Sequence, residues 1–96
     1  MLKHMVMWKL KAENRADNAG QMKQMLEAMA GKVAGLRRIE VGINAIPGAD
    51  SCDVVLYSEF DDEQALNEYN QHPDHLVIKD FVKDIRETRH QVDYYS

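Results

Sequence analysis

Several kinds of residue are scarce in this chain, and each scarcity removes a class of function. Cysteine occurs once, at Cys52, in 96 residues, so no internal disulfide and no thiolate metal cluster can form. That scarcity fits a reducing cytoplasm, and a lone thiol of this kind is expected to be buried. Long apolar runs are missing: the longest, "MVMW", is far too short to span a bilayer, and no leader precedes it. The expectation is a soluble, cytoplasmic protein with no membrane partner. Positive charge is in deficit, with 12 Lys and Arg against 16 Asp and Glu and a net charge of -4. Nucleic-acid affinity comes mostly from neutralising phosphates, and the one adjacent arginine pair, Arg37 and Arg38, makes no basic face. Nucleic acid is not expected as a partner. Neither common glycine-rich phosphate loop occurs, so no nucleotide cofactor is expected, and no cofactor of another kind is called for.

What is present reads as one domain over residues 1–96. A hydrophobic share of 45% with 29% charged is ordinary globular composition. A chain this small buries only roughly 60–65% of its unfolded surface, so it gains from a partner. The segment "LKHMVMWKLK" alternates, with His4, Val6, Trp8 and Leu10 on one face and Met5, Met7 and Lys9 on the other. It reads as a strand with apolar residues on both sides. After "AENRADNAG" the period changes. Asn14 or Asp17 can cap a helix, and Met22, Met25, Leu26, Met29 and Val33 then follow at helical spacing until Gly31 or Gly35 ends it. This methionine-rich stripe reads as core or, functionally, as an adaptable pocket wall.

"LRRIEVGINA" alternates again, with Ile39, Val41 and Ile43 on one side. "DVVLYSEF" is a third strand, apolar on both faces. Asp61 is expected to cap a short helix, with Gln64 placed to reciprocate. Pro73 suits the first turn of the next helix, which carries Leu76, Phe81, Val82 and Ile85, and "TRHQVDYY" closes the chain as a strand. The order β-α-β-β-α-α-β implies an α+β ferredoxin-like fold with an antiparallel sheet. Helices on one face leave the other open, where Met5, Met7, Val55 and Tyr57 would form an apolar patch. A second copy packed sheet to sheet would cover it, so a homodimer is expected.

Two histidines stand around Pro73 in "EYNQHPDHLVIKDFV". His72 falls at the helix cap and His75 in the first turn, where the helix dipole favours a neutral imidazole. As metal ligands the pair lacks a third and fourth partner, so no metal is expected. His90, on the last strand, belongs to no motif.

With this layout, the chain resembles the stress-responsive dimeric α/β-barrel (Dabb) family. The resemblance rests on "KHMVMWKLK", a third strand ending "EF", then "ALNEYNQHPDHL", and a closing "VDY". It implies two ferredoxin-like subunits sharing a barrel. A plant polyketide cyclase of this family performs an aldol-type ring closure without a cofactor, and its catalytic histidines match His4 and His75, with a pocket tyrosine at Tyr69. The resemblance therefore implies His75 as a base and His4 or Tyr69 as hydrogen-bond donor to an oxyanion, with His72 fixing the helix start. Val6, Trp8, Met22, Met25 and Met29 complete the expected ligand-binding set. Three readings follow: a dimer that binds a small apolar or carbonyl ligand, a cofactor-independent cyclase or aldol-type enzyme, and a cofactor-free monooxygenase of the same architecture. The residues alone do not separate the binding reading from the catalytic one.

Overall fold

Alternation along the first strand decides which way the molecule faces. In the computed structural model, which describes residues 1–96, β1 (Leu2–Leu10) buries Leu2, His4, Val6, Trp8 and Leu10 and turns Lys3, Met5, Met7 and Lys9 the other way. The remaining elements are α1 (Arg15–Glu27), β2 (Leu36–Ile43), β3 (Val54–Phe60), α2 (Glu63–Gln71), α3 (Pro73–Ile85) and β4 (Arg86–Tyr95). The strands form one antiparallel sheet in the order β2-β3-β1-β4, so the ferredoxin-like architecture is the one observed. Val54, Leu56 and Phe60 of β3 and Val41 of β2 join the inward residues of β1 against Met22, Leu26, Leu66, Tyr69, Ile78 and Val82 of the helices.

β2 is an edge strand, and its free edge is closed by side chains of α1. Lys23 Nζ donates to the Val41 carbonyl at 2.6 Å, while Glu27 accepts from the Val41 N–H at 3.1 Å. One residue's outward backbone groups are thereby satisfied, which blunts pairing with a foreign strand. At the other end a register shift at Arg37 frees its guanidinium to make two 2.7 Å bonds to Asp61.

That pairing corrects the expected cap. Asp61 is engaged with Arg37, and Asp62 is the N-cap of α2, accepting from the Ala65 N–H at 2.9 Å. Gln64 donates to Glu68 instead of reaching back. At the start of α1, Asn14 stands at the cap position with φ 52°, but its side chain makes no cap bond. The helix also ends earlier than expected, at Glu27. Past it the backbone tightens into turns, with Met29 N–H to Leu26 at 3.1 Å and Lys32 N–H to Met29 at 3.0 Å, before Gly31 takes φ +82°. Met29 and Val33 therefore reach the core from a turn and not from the helix. Gly35 lies so close to Ala65 that any side chain there would overlap it. Cys52 is half-buried in the β2–β3 connection, not sealed in the core, because that connection has no helix above it.

The outer sheet face is open, as the two-sided strands imply. Met7 (45% exposed), Val92 (54%) and Tyr94 (41%) lie there with half-buried Met5, Val55 and Tyr57. No helix is long and apolar enough to cross a membrane.

Candidate functional site

Beneath α3 the sheet and helices enclose a cavity of about 630 Å³, with His4, Val6 and Trp8 on its floor and His75, Ile78 and Val82 along its roof. That size lies within the range of small-molecule sites. The site is placed by two local features. The inward side of β1 sets His4, Val6 and Trp8 in a row, one every second residue, so His4 and Trp8 stand about 13 Å apart along the strand. The α2–α3 junction sets Tyr69 and His75 over the His4 end. His72 makes that junction: its extended backbone ends α2, and its Nδ1 accepts from the Asp74 N–H at 3.1 Å, with Pro73 at the first position of α3. His72 is a capping residue, and its imidazole is spent on the backbone.

Four rings pack edge-on or tilted against one another beside the His4 end of the cavity. Tyr69 lies 4.4 Å from His75, 5.2 Å from Phe60 and 6.4 Å from His4, ring centre to ring centre. His4 is only 3% exposed, and its Nδ1 is paired with Asp93 of β4, directly opposite in the β1–β4 register. A carboxylate only accepts, so Nδ1 carries the proton and Nε2 presents its lone pair. Asp93 is itself held by Gln91, whose Nε2 donates to it at 2.7 Å.

The polar groups nearby are left without partners. Among buried side-chain polar atoms, Trp8 Nε1, the Tyr69 hydroxyl and His75 Nδ1 find no hydrogen-bonding partner in the protein, and these are the only three. Burial pushes the Tyr69 hydroxyl well above the usual phenol range, with a smaller opposing pull from Arg89, so it stays protonated as a donor. Burial likewise pushes His75 down to about 4, against the pull of the Asn70 carbonyl and with help from the positive charge of Lys79. His75 is therefore neutral at pH 7. Nowhere do three His, Cys, Asp or Glu side chains converge as a ligand set.

Of the residues expected at the site, His4, His75, Val6 and Trp8 line the cavity, and Tyr69 is fully buried beside it, packed on His75 and His4. The methionines lie elsewhere: Met22 and Met29 are fully buried in the core, Met25 packs against it, and none lines the cavity. Leu26, from the same helix, reaches the cavity instead. Asp93 was not anticipated, and only the tract "VDY" pointed to its strand.

The sequence model of the stress-responsive A/B barrel domain, Dabb, matches residues 2–96. This chain belongs to the Dabb family. A dimeric ferredoxin-like protein of unknown function from Bacteroides fragilis superposes on this Dabb chain with a TM-score of 0.91 at 32% identity, covering 99% of this chain and 95% of the other. The hydroxynitrile lyase of Passiflora edulis is similar in fold alone, with a TM-score of 0.82 at 14% identity over 97% of this chain and 90% of its own. So is a protein from Nitrosomonas europaea provisionally named an antibiotic biosynthesis monooxygenase, with a TM-score of 0.79 at 19% identity over 100% and 98% of the two chains. Against curated proteins the sequence finds no match.

Proposed function

We propose that this Dabb protein binds a small carbonyl compound in the cavity under α3 and moves a proton at the carbon next to the carbonyl, without a cofactor. The observation that carries the reading is a carboxylate-oriented imidazole that lines the same cavity as His75 and Trp8, whose ring nitrogens are unpartnered, with the unpartnered Tyr69 hydroxyl buried beside them. Buried polar groups without partners cost stability, and a ligand that satisfies them recovers it.

The roles follow from the environment of each group. His4 is the base: its Nδ1–H is held by Asp93, its Nε2 lone pair is free, and the carboxylate stabilises the imidazolium that forms. His75, which burial keeps neutral down to about pH 4, acts as a hydrogen-bonding partner of the substrate. This reverses the roles implied by the resemblance. As His4 Nε2 takes the proton, the C–H electron pair shifts into the carbonyl and the oxygen becomes an enolate. The Tyr69 hydroxyl donates to that oxygen. The enolate then either recovers a proton from His4 or attacks a second carbonyl carbon, whose π pair moves to its oxygen; that alkoxide takes the proton back from His4, which is the aldol-type outcome.

The same reading includes a homodimer closed through the outer sheet face. Its support is the exposed Met7, Val92 and Tyr94 and the dimeric character of the Bacteroides fragilis protein. Sedimentation of the wild type against a Met7→Lys, Val92→Lys double variant tests it: the wild type sediments as a dimer and the variant as a folded monomer. A monomeric wild type overturns the assembly. Binding is tested by NMR of histidine-labelled protein titrated with aryl ketones. Shifts confined to His4 and His75 are expected, and a titration that moves neither ring contradicts the reading.

A further inference from the structure

The cations of this acidic protein are unevenly spent. Arg15, Lys23, Lys32, Arg37 and Arg38 each pair with a carboxylate. Lys79, Lys83, Arg86 and Arg89 pair with none, as do Lys3, Lys9 and Lys11, but only those first four line the cavity, where Asp80 is the one acid of the lining and Asp93 acts on Arg89 from beside it. Their placement follows from the two surrounding elements. On α3, His75, Lys79 and Lys83 fall at spacings of four and share one stripe, so positive charge increases along the roof away from His75. On β4, Arg89 stands opposite Trp8 in the register and Arg86 opposite Leu10. Lys83 and Arg86 therefore lie towards the end of the cavity remote from His4, while the charge of Arg89, between them and the rings, is also felt at Tyr69, His75 and Asp93.

Trp8 marks that same end. Its ring is 5% exposed, it lines the cavity, and its Nε1–H has no acceptor in the protein. A buried donor lacking an acceptor, among cations lacking carboxylates, describes a place for an oxyanion. Arginine forks suit a carboxylate or a phosphate equally well in shape.

Resting on the carbonyl reading above, we propose that the substrate of this site is anionic. Its carboxylate or phosphate group is held by Trp8 Nε1–H, Arg89, Arg86 and Lys83 at one end, while its carbonyl lies between His4 and Tyr69 at the other. The net charge of -4 then hinders entry of anions everywhere except at this mouth, and the four cations set both orientation and preference. A neutral ketone of the same shape can reach His4 but is not held in register.

The probes are benzoylbutyrate, its uncharged methyl ester, and the phosphonate of the same length, each titrated by calorimetry into the full chain at low and high salt. The acid or the phosphonate is expected to bind about tenfold or more tighter than the ester, the worth of one charge-assisted hydrogen bond. That preference is expected to shrink in salt and in an Arg89→Gln, Lys83→Gln double variant, whose substitutions sit on exposed side chains and leave the fold intact. Whichever anion binds tighter identifies the group the site takes. An ester that binds as tightly as both anions overturns the anion inference and leaves the carbonyl reading standing. If none of the three binds, the carbonyl reading itself fails, and this inference with it.

Discussion

Removing one oxygen atom from Tyr69 should make this protein more stable. The Tyr69 ring is fully buried against Phe60, His4 and His75, but its hydroxyl has no partner in the protein. A buried hydroxyl without a partner costs about 1–3 kcal/mol relative to its hydrated state in the unfolded chain. Tyr69→Phe keeps every ring contact and deletes only that cost. Taking the low end, because a cavity lies close by, the variant should gain about 1 kcal/mol. For a domain of this size that raises the melting temperature by about 4–8 °C. The assay is thermal unfolding of wild type and variant at pH 7 and equal protein concentration, since any dimer makes the midpoint concentration-dependent. The same variant should bind aryl ketones more weakly, so stability and binding move in opposite directions. A Tyr69→Phe protein that melts lower than the wild type would refute the reasoning, because the hydroxyl would then have a structural partner in solution.

Three further outcomes are expected. His72→Ala should lose about 1 kcal/mol by urea unfolding, the usual worth of an N-cap, while His72→Asn keeps most of it and neither affects ligand binding. His75 produces an acid-side loss of stability. Its imidazole protonates near the ordinary 6.5 in the unfolded chain and near about 4 in the folded one, so the unfolded state binds more protons between those values. Stability should be fully present above pH 6.5 and fall as pH drops towards 4, and His75→Gln should flatten that slope in denaturation curves collected across the window. Gly35→Ala should destabilise by about 1–3 kcal/mol through overpacking against Ala65, read from the denaturation midpoint.

How far the chain announces its own structure depends on how local each signal is. The two-sided alternation of β1 is readable from any six of its residues, and it correctly places His4, Val6 and Trp8 on one inner face and Met5 and Met7 on the outer one. Pro73 after His72 marks the α2–α3 junction just as plainly. Adjacent caps are harder. Asp61 and Asp62 are chemically identical candidates, and the choice falls to Asp62 because Arg37, displaced by a register shift some two dozen residues upstream, engages Asp61. The methionine stripe of α1 is a correct helix face wrongly extended. Met29 follows a tightened turn, and Met22 sinks fully into the core, so neither reaches the cavity. Least readable of all is the pairing of His4 with Asp93, which lie 89 residues apart. It exists only because β4 returns antiparallel to β1 with those two residues in register, and no local pattern encodes that alignment. The same return brings Arg89 beside Trp8. Both the orientation of the proposed base and the cationic end of the cavity are thus products of one strand pairing.

Proton transfer at His4 is the step on which every proposed role in this site depends. The most direct measurement is hydrogen–deuterium exchange next to the ketone of benzoylbutyrate and its methyl ester, followed by proton NMR in D2O with wild type and His4→Ala. The wild type should accelerate exchange of at least one of the two by about a hundredfold or more over buffer, the lower range for a positioned general base, and His4→Ala should return it to the buffer rate. Exchange no faster than in buffer for both compounds, or acceleration that survives in His4→Ala, would contradict the account.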